Sequence, residues 1–182
     1  MTVKKILIAI DHASMNEALL QEVLFMAKAD QAEVMLLHVL SSEEEDSPIR
    51  IPVGAETMYW PAWSDFNLEV WREQWKTYAS ECLEKLQSLA TKVRQSGLNV
   101  EFRQLMGSPG RVICEFAESW GAELIVMGNR GRSGLKELVL GSVSNYVLHH
   151  TSCSVLIVKT PAIAESSKSA VGAASSSETL PS

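Results

Sequence analysis

The run ELIVMGNRGRSGLKELVLGSVS, residues 123–144, decides how the rest of the chain is read. It begins with an unbroken apolar stretch, Leu124, Ile125, Val126 and Met127, the pattern of a strand buried on both faces. The chain then leaves through Gly128, Gly131 and Gly134, with Arg130 and Arg132 between them. It sets Gly141-Ser142 at the head of a further apolar segment. Glycine loses more backbone entropy on folding than any other residue. Its repetition in one loop therefore marks a backbone that bends sharply or lets something approach closely.

Working outward, strands and helices alternate. Residues 6–10 form an apolar run without alternation, a doubly buried strand. Ser14-Met15-Asn16-Glu17 is a capping-box pattern, and Leu20, Val23, Leu24 and Ala27 follow at helical spacing. Residues 33–40 are a second apolar strand. Between Asp65 and Gly97 the positions Trp71, Trp75, Tyr78, Cys82, Leu86, Leu89 and Val93 step by three or four. That spacing predicts one long helix with these residues, tryptophans included, facing the core, and Gly97 as its stop. Residues 98–106 read as a third, partly alternating strand. Ser108 as N-cap and Pro109 at the first helical position then open a helix that buries Val112, Ile113, Phe116 and Trp120. Residues 123–127 are the fourth strand, 142–149 a short helix and 154–159 a fifth strand. This alternation predicts an α/β layered fold with a mostly parallel sheet.

Two segments stand outside the alternation. Residues 41–64 form a long connection that carries Glu43-Glu44-Glu45-Asp46, read as a solvated acidic run, and then Tyr59-Trp60-Pro61-Ala62-Trp63. Connections of this length are commonly lids or binding surfaces, so the insertion is expected to cover a ligand site or to offer Tyr59, Trp60 and Trp63 to a protein partner. Residues 161–182, rich in Ser and Ala, are expected to be a disordered tail behind a single domain of residues 1–160.

The 182 residues, 46% of them hydrophobic, suffice for one domain with a full core. A net charge of −6 argues against a general nucleic-acid binder, which would show a basic face, yet leaves room for an anionic small ligand in a locally basic pocket. Cys82, Cys114 and Cys153 are odd in number and scattered, without CxxC or Cys/His spacing. They indicate neither a disulfide framework nor a zinc site, and each reads as a small buried hydrophobe. The apolar opening is too short for a signal peptide and stops at Asp11, and no stretch is long enough to span a membrane. A cytoplasmic protein without a membrane partner is the expectation.

In open α/β sheets, ligands bind beyond the carboxyl ends of the strands where the winding reverses. The first strand ends at Asp11 and the fourth at Met127-Gly128; if these strands are neighbours, both face one crevice. Gly141-Ser142 adds a helix start, whose first amides lack internal partners and whose dipole favours an anion. A phosphate chain suits the arrangement best. Neither the GxxxxGK[ST] loop nor the dinucleotide GxGxxG spacing is present.

The spacing that is present is Gly128, two residues, Gly131, nine residues, Gly141-Ser142. On this motif, the opening strand ending in Asp11, the Met106-Gly107-Ser108-Pro109 turn and the closing strand of residues 154–159, the sequence resembles the universal stress protein family, in its ATP-binding branch. The resemblance implies a five-stranded parallel sheet in order 3-2-1-4-5, of adenine nucleotide alpha hydrolase-like type. It implies that Ala9, Ile10 and Asp11 line the adenosine end and that Val39 holds adenine through its backbone. It further implies that Met127 and Gly128 lie beside the ribose and first phosphate. Gly131, Gly141, Ser142, Val143 and Ser144 would supply amides and hydroxyls to the phosphates. A divalent ion, Mg2+ or Mn2+, would ride mostly on the phosphates. Residues 154–159 would pair with the same strand of a second copy, as an apolar sheet edge requires. The function implied is a dimeric, nucleotide-dependent sensor or regulator with at most slow ATP hydrolysis.

Other readings stay open on the residues alone. Asp11 also serves as a plain strand-end cap. Arg130, Arg132 and Lys136 either screen phosphates or sit in solvent. His12 has no visible nucleophile or orienting partner, and His149 and His150 suit a helix end. An ATP-hydrolysing or adenylate-transferring enzyme is a second reading, weakened by the absence of HIGH and SGGxDS motifs. A dimeric interaction module without nucleotide is a third.

Overall fold

In the computed structural model, residues 2–11, 17–42, 44, 47–48, 68–129 and 140–159 are described. The elements follow in the order β1 (Lys5–Ile10), α1 (Glu17–Asp30), β2 (Glu33–Leu40), α2 (Leu68–Gln95), β3 (Val100–Met106), α3 (Pro109–Trp120), β4 (Leu124–Asn129), α4 (Ser142–His150) and β5 (Ser154–Lys159). The strands form one five-stranded sheet in the order β3-β2-β1-β4-β5, each neighbouring pair parallel. β1 therefore lies between β2 and β4, and the winding reverses at its carboxyl end, as the crevice reading requires.

Both faces of the sheet are covered, which is why the central strands show no polar alternation. On one face Ile6, Ile8, Ile10, Val34, Leu36 and Val126 pack with Val23 and Ala27 of α1 and Leu86, Leu89, Ala90 and Val93 of α2. On the other, Leu7, Ala9, Leu37, Val39, Ile125 and Met127 pack with Ile113 and Ala117 of α3 and Val147 of α4. Even-numbered residues of β1 thus serve one core and odd-numbered residues the other, the period-two rule of a strand.

Some expectations are corrected. The long helix buries Tyr78, Cys82, Leu86, Leu89 and Val93, but Trp71 and Trp75 are only half-buried. At 28 residues α2 runs about 42 Å, whereas eight-residue β2 spans about 26 Å. Its first turns therefore extend past the sheet. There Trp71 stacks on Trp75 at 6.2 Å between ring centroids, and Trp75 meets Tyr78 at 6.0 Å. Ser108 is the N-cap of α3, but its hydroxyl makes no capping bond; Val112 N–H donates to its carbonyl instead. Cys82 is buried, whereas Cys114 and Cys153 are half-buried, and all three are free thiols.

Gly97 ends α2 with a left-handed φ of 87°. β5 pairs only with β4 among the described strands, and Val155, Leu156, Ile157 and Val158 along it are half-buried. Several expectations lie outside the described residues. They concern His12, the Ser14-Met15-Asn16 part of the capping box, Glu43, Glu45 and Asp46, the aromatics Tyr59, Trp60 and Trp63, the loop residues Arg130, Gly131, Arg132, Gly134 and Lys136, and residues 160–182.

Candidate functional site: the carboxyl end of β1, β2 and β4

Hydrogen-bond parity fixes what β2 presents at its end. Glu33 N–H donates to Lys4 O at 2.8 Å, toward β1, and Val34 N–H donates to Asn99 O at 2.9 Å, toward β3. Odd residues of β2 therefore turn their backbone groups to β1 and even residues to β3. Leu40 obeys, its carbonyl accepting Gly107 N–H at 3.1 Å. Val39 consequently faces the β1 side. The β1–β2 register ends one residue earlier, with Ile10 opposite His38. The Val39 carbonyl thus lies at the mouth between the two strand ends, one residue past the last described pair.

The side chains sort by the same rule. Ala9, opposite Leu37 and Met127 in register, shares the α3/α4 face with Val39 and Met127, and all three are buried. Asp11, next on that face, is exposed at the strand end. Ile10 points the other way, into the core under α1 and α2, so only its backbone belongs to the crevice. Gly128 continues β4 one step beyond Met127 and pairs with Val158.

α4 begins on that same face and end. Gly141 is its N-cap, with φ −62° and ψ 156° and no side-chain cap. The first intrahelical bond is Asn145 N–H to Gly141 O, 2.9 Å. The amides of Ser142, Val143 and Ser144 precede it and have no acceptor within the helix. Ser142 is exposed, Val143 packs on the core, and Ser144 is buried. A Cβ placed on Gly141 would meet no described atom within 4 Å. The helix is held by Gly110 of α3, where a Cβ would come within 2.7 Å of the Tyr146 ring. Tyr146 in turn stacks on His150, 3.9 Å between centroids, and the His150 Nδ1–H donates to the Tyr146 carbonyl at 2.7 Å.

The fold thus gathers Ala9, Asp11, Val39, Met127 and Gly128 at adjoining strand ends and puts Gly141, Ser142, Val143 and Ser144 at a helix start on the same side. Arg130 and Gly131 lie outside the described residues. Among the described residues no group of three His, Cys, Asp or Glu is arranged to hold a metal ion, and no helix is long and apolar enough to cross a membrane.

One constellation escaped the sequence reading. His38, inside an apolar strand, is fully buried, and its Nε2 lies 3.2 Å from Glu44 Oε1. Tyr78 O–H donates to Glu44 Oε2 at 2.6 Å. Gln104 Nε2 lies 3.4 Å from His38 Nδ1 and donates to Ala79 O at 3.1 Å. Glu44 is therefore not a member of a freely solvated acidic run, because two side chains hold its carboxylate. Burial, and then the bond and charge of Glu44, hold the Tyr78 hydroxyl well above the usual phenol range. Burial likewise pushes the neighbouring Cys82 thiol up to about 11. Both stay protonated at neutral pH. The available clue was a histidine two residues from the end of an apolar strand, since a buried imidazole needs partners.

An open, doubly wound α/β domain with a helix start on the face of its switch point defines a class of small-ligand-binding folds. Within that class the chain belongs to the universal stress protein family, whose model matches residues 2–159. It is 34% identical over 155 residues to universal stress protein Sll1388 of Synechocystis, covering 85% of this chain and 97% of that one. The solved structure of MJ0577, a universal stress protein of Methanocaldococcus jannaschii, superposes with a TM-score of 0.68 at 27% identity, over 90% of this chain and 100% of that one. A universal stress protein family member from Arabidopsis thaliana with AMP bound has the same fold, with a TM-score of 0.56 at 20% identity, over 87% of this chain and 93% of that one.

Proposed function

We propose that the chain binds ATP in the crevice at the ends of β1, β2 and β4, and works as a homodimeric, nucleotide-dependent sensor or regulator. The observation that carries this reading is the start of α4. Its amides at Ser142, Val143 and Ser144 lack helical acceptors, and among the described residues no side chain caps them and no atom fills the space beside Gly141. The AMP carried by the Arabidopsis relative supports an adenine nucleotide as the ligand.

In this reading the Val39 carbonyl receives the adenine amino group and Asp11 the ribose hydroxyls. Ala9 and Met127 wall the sugar, and the backbone of Ile10 closes the strand end. Gly128, Gly131 and Gly141 let the phosphates approach, with Arg130 screening their charge. A Mg2+ or Mn2+ ion rides on the phosphates, because the described residues supply no carboxylate cage. Turnover is at most slow, since no Walker-type lysine is present in the sequence. The β5 edge, Ser154–Lys159, pairs with a second copy. Residues 1–160 make the domain, with residues 161–182 a tail outside it, and Tyr59, Trp60 and Trp63 offer a surface to a protein partner. The protein works in the cytoplasm.

The test is chromatography of small molecules released from the denatured purified protein, run on the wild type and on Gly131→Val and Ser142→Ala variants. The expected result is adenine nucleotide from the wild type and a marked loss from both variants. A wild type that releases none, and shows no ATP uptake in titration with magnesium, would hand the lead to the nucleotide-free interaction module.

A further inference from the structure

The polar cluster behind β2 lies on the face away from the crevice side chains, and its donors and acceptors match one another. Ala79 offers a carbonyl oxygen, so the Gln104 group facing it must be the NH2. The second hydrogen of that NH2 faces His38 Nδ1 at 3.4 Å. Nδ1 is therefore the acceptor, and the hydrogen of a neutral imidazole sits on Nε2, aimed at Glu44 Oε1 at 3.2 Å. Tyr78 supplies the other carboxylate oxygen with its hydrogen at 2.6 Å. Each group in the chain has a complementary neighbour, and the one carboxylate in it belongs to the segment leaving β2.

The described residues of that segment are tied back to one another. Glu44 N–H donates to Ser41 O at 3.3 Å and Ser47 N–H donates to Glu44 O at 3.2 Å, two turns in succession. Ser41 and Ser47 are buried, and Leu40 packs with Tyr78 and Cys82. The chain after β2 is thereby turned onto α2, the side opposite to that of the Val39 side chain. Without this fastening, the 27 residues between Leu40 and Leu68 would have many ways to leave the strand.

We propose that Glu44, gripped by His38 and Tyr78, is a positioning residue for the base end of the crevice: it fixes the chain leaving β2 on the α2 side and so keeps that chain clear of the Val39 carbonyl, whose direction the ladder sets. The proposal rests on the ATP reading above and deepens it. It predicts a split between the two ends of the ligand. In Glu44→Ala, calorimetric titration should show ATP affinity lower by about tenfold, the size of a lost charged hydrogen bond. Affinity for inorganic tripolyphosphate, which lacks a base, should be unchanged. Amide hydrogen exchange over residues 41–48 should quicken. Tyr78→Phe keeps the buried ring and removes only the hydroxyl, so it should show the same split in smaller degree in a chain with an intact core. Wild-type ATP affinity in both variants, or ATP and tripolyphosphate weakening together, would overturn the proposal. If the wild type takes up neither ligand, it is the ATP reading that fails. Exchange then decides the fastening by itself: unchanged rates at 41–48 in Glu44→Ala refute it, and faster rates uphold it.

Discussion

α3 and α4 both start at the carboxyl end of the sheet, on the same face, and both starts are marked by glycine. At one the protein's own packing takes up the space beside the glycines; at the other no described atom does. At α3, Gly107 has a φ of 149°, and a Cβ there would meet Val112 Cγ2 at 2.9 Å. Its amide is taken by the Leu40 carbonyl. Pro109 has no N–H to offer, and Gly110 is pressed against the Tyr146 ring. At α4, Gly141 has an ordinary φ and no described neighbour where its Cβ would be, and Ser142 is exposed. The glycines of α3 are required by the chain's own packing. At Gly141 no described atom makes that demand, in keeping with the ligand proposed to approach there. The two starts are one device as well, because the closure at Gly110 seats the helix whose other end of the contact is Tyr146.

The largest effect should come from the closed start. Gly110→Val drives a branched side chain into a ring already 2.7 Å from the position of a Cβ, at a cost of about 3 kcal/mol, the upper part of the overpacking range. A fall in melting temperature of roughly 8 °C is expected for a domain of this size. Adding Tyr146→Ala should recover a good part of that loss; a double variant no more stable than Gly110→Val would break the packing account. Gly107→Ala comes next, because it sets a side chain at a positive φ and against Val112. Denaturant unfolding should show a loss of about 1–2 kcal/mol.

Gly141→Ser should behave in the opposite way. Serine is at least as good an N-cap as glycine, so stability should hold or rise by a few tenths of a kcal/mol. Its side chain enters the ligand's approach, and ATP affinity by calorimetry should fall about tenfold, the worth of one or two displaced amide–phosphate bonds. Loss of stability with unchanged affinity would mean that the α4 glycine, like those of α3, serves packing.

How much of this was legible beforehand follows the range of the interactions. The alternation of strands and helices, the stops and starts at Gly97, Ser108-Pro109 and Gly141-Ser142, and the lack of polar alternation in the central strands are local patterns. Each appears in the structure close to the residues that announced it. The pairing of β1 with both β2 and β4 came from family resemblance, since no local rule orders five parallel strands. What stayed hidden was tertiary. Glu44 looked like one acid in a solvated run because its partners are 6 and 34 residues away in sequence. Trp71 and Trp75 sit at core spacing, but the sheet beneath them ends. Gly110 follows the Ser108-Pro109 helix start, and nothing nearby in sequence announces the ring of Tyr146. Asp11 and Gly141 stood out as a strand end and a helix start, Ala9 and Val39 came only from the resemblance, and the structure adds the ladder parity that turns Val39 toward the crevice and Ile10 away from it.

The smallest effect is the sharpest check on the comparison. Pro109→Ala adds an N–H to those of Gly110 and Arg111, which precede the first bond of α3, so that both helices then begin with three donors unclaimed by their own backbone. If three such amides at a helix start were enough to hold phosphate, this variant would gain a second site for inorganic tripolyphosphate. Closure by Gly107 and by the Gly110–Tyr146 contact predicts that it gains none. Stability should move by no more than about 0.5 kcal/mol, since alanine is accepted at a first helical position and the lost rigidity of proline is small. The titration should remain that of the wild type in stoichiometry and affinity. A second binding event in calorimetry would show that the α3 start is silent only for want of its first donor. The open space at Gly141 would then lose its standing as the feature that separates the two helices.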